Sequence, residues 1–461
     1  MSNLYILTEE RPKEDVIKQI LNVFSKEYGN NISSTDILIN PIFNEGRFID
    51  EYEVEGVQVE GINKIYLKIA SGNSSFVDFL VFEQENAPKE KSINNENDGN
   101  NLIFLIEETK TSDKESRNTG VYQRMSKFVY ADYFYPNVKK YMLYNIDQPD
   151  DIKQPSGTSI FGTNMLLTQG VEIIGKSLKF FKPFKSVDEL IRYKNGMRRP
   201  PKGNVPMILT LKDDTIYISG RLEKPKGKGN IGHDPNVGAL TAISKTLRDL
   251  GWKGNIVITE HGVSQSYLDK IRSNKFLSIA SMVGIELDGV SFNVNKFIPK
   301  QYWHYEHNSE KVGTIFLQML ATSKNDSVIS IYENHAGCER GYFYTQTRKA
   351  LALPKKDKNG VNLYLPDLIL KNDETKEILL IEGKQSSTLD KGLEEIKHFE
   401  SIEDEFIKPY YRNYSIERWI VTYGKDIYHK NLNPKVIFHL NKNGTYYVNE
   451  NAPIWIKELF D

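Results

Sequence analysis

The chain has 461 residues, enough for about two to four domains with buried cores. Apolar residues make up 39% and charged residues 26%, and 60 basic against 61 acidic residues give a net charge of −1; this excludes a disordered tail, a collagen-like fibre and a globally basic nucleic-acid coat protein. A single cysteine, an N-terminus without a signal-like layout and the absence of an apolar run of about 18 residues predict a cytoplasmic protein with no disulfide and no membrane-spanning segment.

The first predicted elements follow the order helix, three strands, helix, strand. Apolar residues recur with helical spacing in residues 13–28 and 120–133, and apolar runs predict strands near 52–69, 76–83, 101–109 and 138–145. The polar segment 84–101 lies between two of these strands. We interpret it as a long hairpin loop, because the strands on either side are expected to pair.

The middle of the chain has a different pattern, and the C-terminal part returns to the first one. Residues 207–222 predict a hairpin, followed by a loop rich in Gly, Pro and Lys, a helix at 237–251 and a strand at 255–260. Near the C-terminus we expect helices at 309–320 and 389–400 and strands at 363–370, 376–384 and 417–424. The sequence therefore predicts three domains: 1–155, 156–300 and 301–461.

Acidic residues and a lysine stand at the ends of paired apolar strands in both end regions. They are Asp78, Glu108 and Lys110 in the N-terminal region and Asp367, Glu382 and Lys384 in the C-terminal region. Strand side chains alternate between faces, so Glu108 and Lys110 are expected to share a face. Glu107 is expected to point to the opposite face and is the weaker ligand candidate.

Two carboxylates on neighbouring strand ends suit Mg²⁺, which prefers oxygen ligands. The ion would lower the pKa of a bound water and neutralise charge on a phosphate. A nearby lysine could orient or help deprotonate the attacking water, or balance charge on the phosphate. This pattern predicts phosphodiester hydrolysis, with four metal ligands: Asp78, Glu108, Asp367 and Glu382.

The Asp…Glu-x-Lys pattern on consecutive strands resembles the PD-(D/E)XK nuclease superfamily. Pro366-Asp367…Glu382-Gly383-Lys384 matches its full form, whereas Val77 stands in the place of the proline in the N-terminal region. The segment ETKTSDKESRN after the first strand is most similar to type II restriction endonucleases. The resemblance covers the two end regions and implies an α/β chain (mixed α+β) with two restriction-endonuclease-like cores, each a mixed sheet flanked by helices.

The same resemblance implies a Mg²⁺-dependent endonuclease that cuts double-stranded DNA at a specific sequence, with one active site per strand. It further implies a cognate DNA methyltransferase in the host, and two cores in one chain make a monomer sufficient. The middle region would supply base readout. The implied DNA-contacting residues are Ser112, Lys114, Arg117, Asn118, Gln123, Arg124, Gln385 and Ser386.

Three other interpretations remain open. An acid-x-Lys triplet also occurs by chance, as strand-end charges that form ordinary salt bridges on a solvated face. The chain could instead be a repair or mobile-element nuclease with a single working site, or a catalytically inactive DNA-binding protein on a nuclease scaffold. A further acid could serve either site: Glu53 at the first, and Glu333 or Glu339 at the second.

Overall fold

A computed structural model describes residues 2–8, 11–43, 50–69, 77–88, 101–109, 120–144, 155–197, 207–222, 235–295, 310–334, 342–354, 356, 359–425 and 432–460. In these residues the chain is mixed α/β, with several mixed sheets and flanking helices. The fold class is therefore confirmed at that level. None of the helices in these ranges has the length and apolar character needed to cross a membrane.

The chain contains both strands and helices. The strands are β1 (Ser2–Thr8), β2 (Ile32–Pro41), β3 (Asp50–Val59), β4 (Ile62–Ile69), β5 (Phe79–Gln84), β6 (Leu102–Thr109), β7 (Lys139–Tyr144), β8 (Val171–Ile174), β9 (Leu209–Lys212), β10 (Thr215–Ser219), β11 (Asn255–Thr259), β12 (Ile285–Leu287), β13 (Val328–Glu333), β14 (Tyr342–Tyr344), β15 (Ala350–Ala352), β16 (Leu368–Asn372), β17 (Glu377–Gln385), β18 (Ser415–Gly424), β19 (Val436–Asn441) and β20 (Tyr446–Val448). The helices are α1 (Glu14–Tyr28), α2 (Gly120–Phe134), α3 (Gly157–Thr168), α4 (Val187–Gly196), α5 (Pro235–Asp249), α6 (Gln265–Lys270), α7 (Lys275–Met282), α8 (Lys311–Lys324), α9 (Leu389–Glu395), α10 (Glu400–Ile402), α11 (Lys408–Tyr410) and α12 (Ile454–Lys457).

The chain divides into two compact units. The first contains residues 1–74, 82–90 and 301–461, and the second contains residues 75–81 and 91–300. The first unit thus gathers both end regions of the sequence, and strand β5 contributes residues to each unit. The division into domains 1–155, 156–300 and 301–461 stays a prediction.

The first unit holds the six-stranded sheet in the order β13-β16-β17-β18-β19-β20. Strands β16 and β17 are antiparallel, whereas β17, β18 and β19 run parallel. Strand β17 is buried from Ile378 to Lys384, and its apolar residues 378–381 alternate between two cores because both faces of the strand are covered. Leu379 and Ile381 belong to the core that includes α8 residues, and Ile378 and Leu380 belong to the core with the helical segment 396–411.

The first unit also holds the N-terminal elements. Strands β2, β3 and β4 form an antiparallel series, and β1 pairs parallel to β4. Helix α1 buries one face through residues such as Ile17, Ile20 and Phe24, as the helical spacing predicts. It ends at Gly29, whose φ of 72° is the left-handed conformation that glycine adopts without strain.

The second unit carries the parallel strands β6, β7 and β8 and the smaller sheet β12-β11-β10-β9. Strands β9 and β10 pair antiparallel around a turn at Asp213, which confirms the predicted hairpin. Helix α2 packs against α3, α5 and α7. This packing fixes the position of α2. The helix follows strand β6 in the chain, and its residues Arg124 and Lys127 extend to the end of that strand.

Candidate active site

In the first unit, two buried carboxylates meet at the ends of neighbouring strands. Asp367 immediately precedes β16 and Glu382 lies near the end of β17, and their side chains belong to residues that are only 3% and 7% exposed. The backbone N–H of Asp367 donates to the Ile381 carbonyl at 3.0 Å, and the N–H of Gly383 donates to Asp367 Oδ2 at 2.9 Å. The strand pairing itself therefore holds the Asp367 carboxylate beside Glu382.

The electrostatics of this pair favour the binding of a cation. Burial and then the adjacent charge of Asp367 raise the pKa of Glu382 to about 8, although Lys384 and Lys311 act in the opposite direction. Two like charges that repel each other in a buried position are stabilised by a divalent ion between them. The pair is thus suited to an oxygen-liganded metal such as Mg²⁺.

Two lysines neutralise the pair. Lys384 Nζ forms an ion pair with Glu382 and a second one with Glu395 Oε2 of α9 at 2.8 Å. Burial lowers the pKa of Lys384, but the two carboxylates outweigh burial and the pKa ends above its ordinary value. Lys311, the first residue of α8, forms an ion pair with Asp367. Lys311 and Glu395 were missed in the sequence because neither lies in a strand motif.

Two glycines make room for this arrangement. A Cβ on Gly383 would lie 2.9 Å from the Glu310 carbonyl oxygen and 3.1 Å from Asp367 Oδ2. A Cβ on Gly392 in α9 would lie 2.7 Å from Cγ of Lys384. The variable position of the motif must therefore be small here, and the mid-helix glycine leaves space for the stem of the lysine.

In the second unit, the carboxylate beside Asp78 belongs to Glu107. The backbone N–H of Asp78 donates to Glu107 Oε2 at 3.1 Å, and the N–H of Glu108 donates to Asp78 Oδ2 at 2.7 Å. Glu107, expected on the face opposite to Glu108 and therefore the weaker candidate, is thus the glutamate whose carboxylate lies beside Asp78. The amide that binds Asp78 belongs to Glu108, and alternation along the strand puts the preceding side chain, that of Glu107, on the face towards α2.

A lysine from α2 lies between these two acids. Lys127 Nζ is 2.8 Å from Glu107 Oε1 and 3.2 Å from Asp78 Oδ1. Arg124, one turn earlier, places its Nε 3.7 Å from Glu107 Oε1 and donates to the Glu108 carbonyl at 3.0 Å. Burial and then Asp78 raise the pKa of Glu107 well above its ordinary value, while Lys127 and Arg124 oppose this rise.

The two sites can be aligned through the amide that binds each aspartate. Asp78 accepts from the N–H of Glu108 as Asp367 accepts from that of Gly383. The corresponding acids are then Glu107 and Glu382, and the strand position of Lys384 is occupied by Thr109. The Asp–Glu pair is present in both sites, and within the described part of the chain the lysine on the strand itself is found in the C-terminal site.

Several predicted residues are placed elsewhere or fall outside the described ranges. Lys110, Ser112, Lys114, Arg117, Asn118, the side chain of Gln123 and the candidate acid Glu339 lie outside the described residues. Gln385 is half-buried at the end of β17, and Ser386 Oγ accepts from the N–H of Lys425 at 3.2 Å. Of the other candidate acids, Glu53 pairs with Lys64, and Glu333 pairs with Arg11.

The donor set of each site fits Mg²⁺ better than a transition metal. Within the described ranges, no group of three or more His, Cys, Asp or Glu side chains converges as a site for a transition metal such as Zn²⁺ would require. Mg²⁺ is commonly held by one or two carboxylates together with water and substrate phosphate oxygens. Asp367 with Glu382, and Asp78 with Glu107, each supply such a pair.

The chain was compared with known proteins in three ways. No family model matches it, and neither a curated protein nor a solved structure matches it. The chemistry assigned to the two sites therefore rests on their own residues.

Proposed function

We propose that this chain is a Mg²⁺-dependent endonuclease that hydrolyses phosphodiester bonds of double-stranded DNA at a specific sequence, as type II restriction enzymes do. The observation that carries the proposal is the buried set Asp367, Glu382 and Lys384 at the end of strands β16 and β17. Burying two acids and a lysine costs desolvation free energy, and such a cost is typical of a functional site. Hydrolysis of a phosphate diester uses each of these groups.

In the proposed reaction, Asp367 and Glu382 hold the ion. Bound Mg²⁺ supplies positive charge that activates water and offsets charge on the phosphate. Lys384 orients the attacking water and balances charge near the phosphate, and Glu395 holds the lysine in place from the opposite side. The water oxygen bonds to phosphorus, the bond to one ester oxygen breaks, and a proton from the water ends on that leaving oxygen.

Two restriction-endonuclease-like cores in one polypeptide would give one cut in each strand without a second copy of the chain. Because no two-fold axis of a homodimer is imposed on the DNA, the target can be asymmetric. A nuclease of this kind requires protection of the host genome, which is the reason to expect a partner DNA methyltransferase. The middle region is then the candidate for reading the bases.

A nuclease with a single working site, acting in repair or in a mobile element, is the second candidate. One observation favours it: in the described part of strand β6, Thr109 stands where the C-terminal site has Lys384. Such an enzyme would nick one strand, or would cut both strands slowly after release and rebinding.

The test uses the full chain, a mixed pool of supercoiled plasmids and Mg²⁺, with sequencing of the DNA ends. We expect ends at one defined sequence, with no cutting in excess chelator and none by a chain in which both Asp78 and Asp367 are replaced by Asn. Cutting in chelator would contradict the metal-carboxylate assignment. Ends at random sequences would contradict the restriction-type specificity, and a nick in one strand only would favour the second candidate.

A further inference from the structure

Among the described residues, the N-terminal site has no lysine on strand β6 but has a lysine on the neighbouring helix α2. Lys127 Nζ lies 3.0 Å from Glu107 Oε2 and 3.2 Å from Asp78 Oδ1, so one ammonium group contacts both acids of the pair. In the C-terminal site the two roles are exchanged. There the strand carries the lysine, Lys384, and the following helix carries an acid, Glu395.

The position of Lys127 is fixed by the packing of α2. The residues around it on this helix, Met125, Phe128 and Val129, are buried. Arg124, three residues earlier on the same helical face, ties the helix to strand β6 through the Glu108 carbonyl. A lysine on a rigid, packed helix can hold an ammonium group in place as well as a lysine on a strand can.

Strand alternation identifies the residue of β6 that shares a face with Glu107. Thr109 has the strand parity of Glu107, whereas the side chain of Glu108 does not share the face of the Asp78–Glu107 pair. The Glu-x-Lys motif of the sequence consists of Glu108 and Lys110, but the carboxylate that lies beside Asp78 in the structure is that of Glu107.

We propose that Lys127 supplies to the N-terminal site the ammonium group that Lys384 supplies to the C-terminal site, so that the N-terminal set is Asp78, Glu107 and Lys127. This inference rests on the proposed nuclease function. It makes the N-terminal site a complete one, and the chain then cuts one strand with a lysine from a strand and the other with a lysine from a helix.

The experiment follows each strand of a plasmid that carries one target. Lys127→Met should slow the cut in one defined strand by at least about 100-fold and leave the other strand cut at the wild-type rate. Adding Thr109→Lys to Lys127→Met should restore part of the lost cut, because it moves the ammonium group to the strand position of Lys384. Lys140→Met is the matched control, since it removes a buried lysine of the same unit that pairs with Asp132 at 2.6 Å. It should leave both cuts unchanged.

A second readout separates loss of the charge from loss of structure. In a chain with Asp367→Asn, titration with Mn²⁺ should still give binding at the N-terminal site when Lys127→Met is added, with affinity equal to or tighter than before. Retained Mn²⁺ binding with loss of one cut supports the proposal. If Lys127→Met abolishes Mn²⁺ binding and Thr109→Lys restores neither binding nor cutting, Lys127 only maintains the fold and the proposal is wrong.

The remaining outcomes distinguish this inference from the function on which it rests. If the wild-type chain cuts both strands and Lys127→Met does so at the same rate, the nuclease stands and the role of Lys127 is refuted. If Lys110→Met abolishes one cut instead, the lysine of the sequence motif serves this site and Lys127 does not. A wild-type chain that cuts no DNA refutes both proposals.

Discussion

The carboxyl group of Glu382 is buried beside that of Asp367, and this makes the stability of the first unit dependent on pH. Its pKa is raised from 4.5 to about 8 in the folded chain, so between these values the folded state binds more protons than the unfolded state. The free energy of unfolding should therefore fall as pH rises through this window. Urea unfolding in chelator from pH 5 to 9 measures it, and Glu382→Gln should remove most of the slope.

The affinity for a divalent ion should depend on pH in the opposite direction, because the ion binds to the same carboxyl group. An ion bound to Glu382 replaces its proton, so apparent Mg²⁺ affinity should rise with pH up to about 8 and then level off. A slope in chelator that is the same for Glu382→Gln and for the wild type would show that another group is responsible for it.

Replacing Gly392 by alanine should affect cutting but not stability. Alanine in place of a mid-helix glycine favours the helix by about 0.5–1 kcal/mol, but here its Cβ would lie 2.7 Å from Cγ of Lys384. We expect Gly392→Ala to change the unfolding midpoint little and to reduce cutting by the C-terminal site about tenfold, because the lysine is displaced. Thermal unfolding and strand-specific cutting measure the two effects.

The matched control is Gly196→Ala in α4, where nothing lies within 4 Å of the added Cβ. It should leave cutting unchanged. Equal cutting by Gly392→Ala and the control would mean that the position of Lys384 does not matter for the chemistry.

At the residue scale, the C-terminal acids could be predicted from the sequence and the N-terminal second acid could not. Glu382 lies in strand β17 and Asp367 directly precedes strand β16, close to where the apolar runs place them, and a glycine between acid and lysine leaves one choice of acid. In the N-terminal motif two glutamates are adjacent and the flanking strand residues are buried on both faces. Alternation says that Glu107 and Glu108 differ in face, but only the packing of α2 says which face holds Asp78.

At the element scale, a row of buried polar side chains crosses three parallel strands next to the C-terminal site. Lys384 on β17 stands opposite Thr422 on β18, and Thr422 stands opposite His439 on β19. The imidazole Nδ1 of His439 lies 2.7 Å from Thr422 Oγ1, and its Nε2 lies 2.8 Å from Asn441 Oδ1. The row begins beside the lysine of the site, and its hydrogen bonds join Thr422, His439 and Asn441 in the interior of the sheet.

Replacement of His439 by leucine should destabilise the first unit by about 1–3 kcal/mol, because Thr422 and Asn441 each lose a buried hydrogen-bond partner. Urea unfolding gives the free-energy change. Thr445→Val, at an exposed turn that bonds to Asn441, is a control with an expected loss of under about 1 kcal/mol. A loss for His439→Leu no larger than that of the control would contradict the role given to the row.

Which elements could be predicted depends on how they are buried. Helices α1, α5 and α8 were predictable because apolar residues recur along one face or along a run of core positions. Helix α3 is buried from Phe161 to Leu166 without interruption, so it has no amphipathic pattern to detect. Strand β16 begins at Leu368, five residues later than expected, because Pro366 has no N–H to give to a ladder.

At the scale of the whole molecule, the two acid pairs share no residues, which permits a test of their independence. Asp78→Ala or Glu107→Ala should give an enzyme that nicks one strand, and Asp367→Ala or Glu382→Ala should give a nick in the opposite strand. Each change removes a proposed metal ligand and leaves the predicted DNA-contacting residues in place, so DNA affinity in Ca²⁺ should change less than about threefold. Strand-specific sequencing of the nick and a gel-shift assay measure the two effects.

The outcome is informative in either direction. If either set of variants stops the cutting of both strands, the two sites are coupled or only one does chemistry. If one set still makes double-strand breaks at the wild-type rate, that site is a scaffold and the model of one site per strand is wrong.

The composition of the first unit has a consequence for the order of events during translation. That unit needs residues 301–461 as well as residues 1–74, whereas the second unit is complete once residue 300 has left the ribosome. At about 5–20 residues per second, residues 301–461 take roughly 10–30 seconds to synthesise, so the N-terminal elements must wait that long for the rest of their unit. The nascent chain therefore carries an unfinished C-terminal site until residues 301–461 have been synthesised, and a ribosome that stalls after residue 300 leaves a product that has the acids Asp78 and Glu107 but lacks Asp367 and Glu382.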